Sequence, residues 1–418
     1  MDKAQDDCEV LVVGAGPAGL AAAYRVAQAG LCVKVVDDNP DAGGQIWRSE
    51  RTKTKSAEAA AWFERIRSSK IEVLSGARVF HAPGAAKLEA ETANGILELG
   101  YSSLILATGA RERFIPFPGW TLPNVMGAGG LQALVKTGLP IEGKKVVIAG
   151  SGPLLLAVAA YLKDLGAKVL LIAEQAPQMR LARFGLSLLR QGSKASQAIK
   201  LKGKLSGVRY LSSCWPIEAK GSDRLETVTL QRGNRTWVVA CDYLACGFHL
   251  VPNLELAQLL NCKISDGSVE VDDFQETTCA RVYSAGESTG IGGLELSLTE
   301  GEIAGLAVAS RKEEARKLFP LREKHRRFAN VLNRTFSLRD ELRDLARPET
   351  IVCRCEDVTL DRLKSHDSWR EAKLQTRCGM GPCQGRMCGG AIEFMLGWQH
   401  ESVRPPVFPV RVESLIAK

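Results

Sequence analysis

Five cysteines lie in the last quarter of the 418-residue chain: Cys353-Arg-Cys355, Cys378, and Cys383-Gln-Gly-Arg-Met-Cys388. Thiolates are soft ligands that suit zinc or an iron–sulfur cluster. Zinc ribbons more often space their cysteines as Cys-x2-Cys, so the Cys-x-Cys pair points toward iron–sulfur. Gly379, Gly381 and Gly385 let the backbone wrap closely and aim N–H groups at sulfur. Near the other end, Gly14-Ala15-Gly16-Pro17-Ala18-Gly19 follows a short apolar strand and opens a helix. Such a loop turns backbone N–H groups and the positive end of a helix dipole toward a pyrophosphate. Gly14 permits the turn, Gly16 permits close approach, and Gly19 lets helix pack on strand. Asp37, eighteen residues past Gly19, ends the next strand, where it can accept from ribose hydroxyls, and Asp38 stands beside it. A thiolate cage and a dinucleotide loop on one chain describe electrons passing between a two-electron and a one-electron carrier.

The glycine motif recurs as Gly150-Ser151-Gly152-Pro153-Leu154-Leu155, with Leu155 where the third glycine would stand. A leucine there is expected to push the helix from its strand and crowd a pyrophosphate. Glu174 closes the following strand and could accept from a ribose, with no basic neighbour to favour a 2′-phosphate. Three uses stay open: turnover of NAD(P)H, a non-reacting nucleotide such as ATP, or no ligand. No Cys-x-x-Cys redox pair lies in this region, which disfavours a disulfide-reductase mechanism.

The elements that must position these groups follow an α/β pattern. Residues 9–13, 20–29 and 32–36 read as strand, helix and strand, and residues 145–149, 154–165 and 168–172 repeat the unit. A duplicated unit implies two nucleotide-type domains with the second inserted in the first. The expected divisions are 1–116 and 242–312 for the first domain, 117–241 for the inserted one, 313–348 for a charged helical arm, 349–400 for the cysteine module, and 401–418 for an extended tail. Length and an apolar content of 45% agree with several compact units. The net charge of +8 is spread over stretches that also hold acids and few aromatics, so nucleic-acid binding is not expected. The amino terminus lacks the shape of a signal peptide and no segment is apolar enough for a membrane helix, so a cytoplasmic location is expected.

Gly44-Gln45, Thr108-Gly109 and Gly286-Glu287 resemble the remaining FAD-contact segments of the two-dinucleotide-domain flavoproteins, the glutathione- and thioredoxin-reductase-like fold. That resemblance implies FAD in the first site. The family normally carries Gly-Asp in the last segment, and here Glu287 supplies a longer acid for the same hydrogen bond to the ribityl chain. Cys353-Arg-Cys355-Glu and Thr376-Arg-Cys378-Gly-Met-Gly-Pro-Cys383-Gln-Gly-Arg386 resemble the bacterioferritin-associated-ferredoxin-type [2Fe–2S] domain. Its pattern implies Cys353, Cys355, Cys383 and Cys388 as ligands, with Cys378 a neighbour; replacement of one ligand by Cys378, or a zinc cage, stays open.

Over about residues 8 to 410 the order of parts is similar to that of the flavin and iron–sulfur alpha subunits of multi-subunit amino-acid dehydrogenases. That group includes opine oxidases, hydrogen cyanide synthase, and D-hydroxyproline and L-proline dehydrogenases; the compact length and the ending Arg404 to Pro409 look closest to the hydroxyproline enzymes. The resemblance implies an electron-transfer subunit. Its partners would be a glycine- or sarcosine-oxidase-like flavoprotein beta subunit that oxidises the amino acid, a small ferredoxin-like gamma subunit, and an electron acceptor. The other reading is a stand-alone NAD(P)H-dependent FAD and iron–sulfur reductase.

Overall fold

A computed structural model describes residues 4–48, 56–189, 192–399 and 403–416. By internal contacts the chain divides into two compact units: residues 1–111, 251–330 and 401–418, and residues 112–250 and 331–400. The cysteine module and the second half of the charged arm thus group with the inserted domain, and the tail groups with the first domain.

The first unit is built on parallel strands Ile71–Ser75, Val33–Asp37, Cys8–Val13, the end of Gly95–Leu106, and Val282–Ser284, in that order. The central strands Val33–Asp37 and Cys8–Val13 are mostly Val and Leu and almost wholly buried, as a sheet covered on both faces requires. The long strand Gly95–Leu106 serves two ladders. Its first half pairs antiparallel with Lys87–Thr92, and its second half pairs parallel with Cys8–Val13. Helix Pro17–Gln28 starts at a proline, which gives up no helical hydrogen bond at that position. It packs against helix Leu294–Val308 at backbone distance: a Cβ on Gly301 would lie 2.2 Å from the Ala18 carbonyl oxygen, and one on Gly305 2.4 Å from that of Ala22. Trp47 is a core residue here, edge-on to Phe63.

The second unit repeats the plan. Its parallel sheet runs Arg209–Ser212, Lys168–Glu174, Lys145–Ser151, Tyr243–Phe248, Val125–Gly127. An antiparallel meander, Cys214–Lys220, Thr227–Arg232 and Arg235–Ala240, forms the crossover. Phe114, Phe117, Trp120 and Trp215 fill the core beneath it, joined by Leu342 and Leu345 from the arm. The cysteine module is a short hairpin, Ile351–Cys353 with Val358–Thr359, and three helices, Leu360–Lys364, Trp369–Thr376 and Gly389–Leu396. The Trp120 indole N–H donates to the Ile351 carbonyl at 2.5 Å, fastening the hairpin to the domain core.

Candidate cofactor sites

At the first glycine loop the strand stops at Val13 and the chain turns through Gly14 at a φ of +109°. A Cβ on Gly14 would meet the Ala107 carbonyl oxygen at 2.2 Å, and one on Gly19 would meet the Gly14 oxygen at 1.8 Å. Both positions therefore require glycine for packing. Gly16 differs: its φ is an ordinary −75° and a Cβ there would come no nearer than 3.9 Å to Gly44 Cα. That open face is where a pyrophosphate would approach.

The other predicted segments converge on this loop. Asp37 accepts the Ala15 N–H at 2.6 Å through Oδ2 and the Asn39 N–H at 2.8 Å through Oδ1. It thereby fixes the loop and retains lone pairs for a ribose hydroxyl. Asp38 lies outside, 3.8 Å from Arg78, its carboxyl raised by burial and by the charge of Asp37. Gly43 donates to the Ala15 carbonyl at 2.8 Å, which brings Gly44 over Gly16, while Gln45 is exposed and paired with Arg48. A Cβ on Gly286 would lie 2.8 Å from that of Ala18. Glu287 Oε1 accepts the Gly293 N–H at 2.8 Å at the start of helix Leu294–Val308, and its buried Oε2 has no partner. A buried oxygen without a donor costs about 1–3 kcal/mol, so this atom fits a ligand hydroxyl, and FAD fits the residues present. Two supporting residues carry no local sequence signal. Asn253 exchanges hydrogen bonds with Thr108, and Glu300 accepts from Gly286 N–H and Thr289 while pairing with Arg326 at 3.0 Å.

The second loop is constructed differently. Here the strand runs on through Gly150 and Ser151, which pair with Gly247 and Phe248. Gly152 takes a φ of +103° where Gly16 is at −75°. The acid contact moves one residue along: Glu174 accepts from Gly152 N–H, and its other oxygen from Ala176 N–H, both at 2.8 Å. Glu174 is fully buried, and burial pushes its carboxyl up to about 7. Leu155 is absorbed into the core beside Gly247, with its helix seated on the sheet. The Ser151 hydroxyl and the Gln175 amide, chain neighbours of Gly152 and Glu174, bond to the backbone of the arm at Phe336 and Ser337. Pro153 begins the helix as Pro17 does in the first loop.

All five cysteines of the module come together, in two groups. Cys353, Cys378 and Cys388 are buried with their sulfurs within 4.8 Å of one another. Cys355 is exposed and Cys383 half-buried, and their thiols touch each other. Helix Trp369–Thr376 ends on Arg377 in the left-handed region, so the chain reverses and delivers Cys378 inward. The Arg377 guanidinium reaches Glu356 at 2.8 Å, tying the two cysteine segments. Gly379 and Gly385 have positive φ and lie under Trp369, whose ring a Cβ on either would meet at 2.9 and 3.3 Å. Gly379 N–H points at Cys353 Sγ, 3.5 Å away. Hydrogen bonds from Cys378 and Cys388 hold Cys353 down to about 2, while the proton shared with Cys353 pushes Cys378 up to about 12. A glycine-lined cradle with thiols and sulfur-directed N–H groups fits a thiolate-bound cluster.

The model of the pyridine nucleotide-disulphide oxidoreductase family matches residues 8–312. Hydrogen cyanide synthase subunit HcnB of Pseudomonas aeruginosa is 32% identical over 91% of this chain and 90% of its own length. An opine oxidase subunit from Rhizobium meliloti is 29% identical over 97% of this chain and 87% of its own. Among solved structures, L-proline dehydrogenase from P. horikoshii superposes with a TM-score of 0.68 over 99% of this chain and 80% of its own, at 18% identity.

Proposed function

The chain belongs to the pyridine nucleotide-disulphide oxidoreductase family, and on that footing we propose that it is the electron-transfer subunit of a hetero-oligomeric amino-acid dehydrogenase. It is an oxidoreductase, as are the synthase and oxidase subunits it resembles. The observation that carries the reading is the pairing on one chain of an open first glycine loop with a five-thiol cradle, while the polar groups of the second loop are spent on the chain's own backbone.

FAD would be held by the loop Gly14 to Gly19, with Asp37 and Asp38 at the ribose side, Gly44, Gln45, Thr108 and Gly109 around it, and Gly286 and Glu287 at the ribityl chain. A [2Fe–2S] cluster would be held by Cys353, Cys355, Cys383 and Cys388. When bound, FAD exchanges two electrons and the cluster one at a time, which lets a two-electron oxidation feed a one-electron acceptor. The amino acid, of D-hydroxyproline, opine, proline or glycine type, would lose two electrons and two protons across its C–N bond on a glycine- or sarcosine-oxidase-like beta subunit. A small ferredoxin-like gamma subunit completes the assembly. The inserted domain serves as a structural support rather than a nicotinamide site.

The test is purification of the chain alone and co-expressed with such a partner. Alone it should carry flavin and iron–sulfur absorbance and reduce no dye with amino acids; with the partner, dye reduction should appear. Flavin reduction by NADH in the isolated chain at about 10 per second, a typical enzyme rate, would instead identify a stand-alone reductase.

A further inference from the structure

The cysteine module holds one thiol more than a four-thiolate cluster uses, and the excess lies on one side. The buried group is set by regular structure: Cys353 ends a strand, Cys378 follows the left-handed stop of a helix, and Cys388 caps the next helix. Cys355 and Cys383 lie in turns and contact each other. A Cβ on Gly381 would approach Cys355 Cβ to 2.3 Å, so the outer pair is pressed against the Gly381-Pro382 turn. A cluster that takes both outer thiols needs two of the three buried ones. Nothing in the spacing of the three sulfurs separates Cys378 from Cys388 as a neighbour of Cys353, because all three distances fall within the same 4.8 Å.

We propose that Cys378 is a reserve ligand of the buried side, able to replace Cys353 or Cys388 but neither Cys355 nor Cys383. The proposal rests on the cluster reading above. Exchange would be redox-neutral: Cys378 would give up its proton on taking the place of Cys388, and the released Cys388 thiolate would take that proton up. The outer pair has no such substitute: the sulfurs that lie within 4.8 Å of one another are those of Cys353, Cys378 and Cys388, and Cys355 and Cys383 fall outside that set.

The full chain, purified without oxygen, tests this through iron and sulfide content and the electron-paramagnetic spectrum of the reduced cluster, with flavin content as the control for folding. Wild type and Cys378→Ser should each hold about two irons per chain. Cys388→Ser should keep most of its iron with a shifted spectrum, and adding Cys378→Ser to it should remove nearly all. Cys383→Ser should lose its iron with Cys378 intact. Loss of iron from Cys388→Ser as complete as from the double variant, with flavin retained, would overturn the reserve role and leave the cluster reading standing. So would retention by Cys383→Ser. Stoichiometric zinc without iron in the wild type would overturn both.

Discussion

The Ser151 hydroxyl donates to the Phe336 carbonyl at 2.7 Å, joining the second glycine motif to the arm 185 residues downstream. Gln175 completes the contact: its amide donates to Ser151 Oγ at 2.8 Å, and its carbonyl oxygen accepts from Arg339 N–H at 3.2 Å. Phe336 stands edge-on to Phe184, and Arg180 reaches the Ser337 hydroxyl at 2.7 Å. The arm therefore engages the polar side chains that adjoin Gly152 and Glu174 in the second motif. Equilibrium binding of NADH or ATP to the second domain should be absent at concentrations that saturate ordinary nucleotide sites. Ser151→Ala removes the shorter partner of the Phe336 carbonyl and of the Gln175 amide, which keep their longer contact with each other at 3.4 Å, and should lower stability by roughly 0.5–1.5 kcal/mol in urea denaturation.

The first loop makes a paired prediction about glycines. Gly14→Ala places a methyl 2.2 Å from the Ala107 oxygen at a φ of +109°, so the variant should unfold at lower denaturant and carry no flavin. Gly16→Ala has room and an ordinary φ, so denaturation of the flavin-free protein should be nearly unchanged while flavin content drops sharply. Equal stability losses in the two would contradict the assignment of the Gly16 face to the pyrophosphate.

Glu174 predicts a pH dependence. Its carboxyl titrates near 7 in the folded protein, chiefly because burial disfavours the anion, and ionises near 4.5 when unfolded. Between those values the native state holds a proton that the unfolded state has lost, so stability falls as pH rises from about 4.5 to about 7 and then levels. The contribution is at most about 3 kcal/mol at about 1.4 kcal/mol per pH unit. Urea midpoints should decline over this window in the wild type and decline less in Glu174→Gln.

Glu287→Ala should release flavin and Glu287→Gln should retain part of it. The amide oxygen can still accept from Gly293 N–H, but the unpartnered Oε2 is replaced by an NH2 group that can only donate. Ultrafiltration followed by flavin absorbance measures both.

Gly381→Ala should cost iron and spare flavin. The added methyl would lie 2.3 Å from Cys355 Cβ and displace the outer thiol pair, whereas the flavin residues lie on other segments of the chain. Iron content against flavin absorbance in one preparation reports the split.

Local chemistry was legible in the residues themselves. Gly14, Gly16, Gly19 and Asp37 announce a dinucleotide loop because strand, turn, helix and acid are contiguous and each glycine answers a backbone need within about 25 residues. The cysteine segments likewise pointed to soft-metal chemistry through residue type, and the repeat at Gly150 to a duplicated domain. What Gly150 to Pro153 do was decided by tertiary structure. The extension of the strand through Ser151 depends on pairing with Gly247 and Phe248, and the burial of Ser151 and Gln175 depends on an arm some 160 to 185 residues away. Leu155 shows the same limit: a leucine expected to pry helix from strand is accommodated beside Gly247, which has no side chain of its own to compete for the space. The contacts of Asn253, Glu300 and Cys378 come from partners distant in sequence, since hydrogen bonds and thiol contacts are set by where folded segments meet. Sequence spacing specifies the local turn, and only packing determines which groups remain free for a ligand.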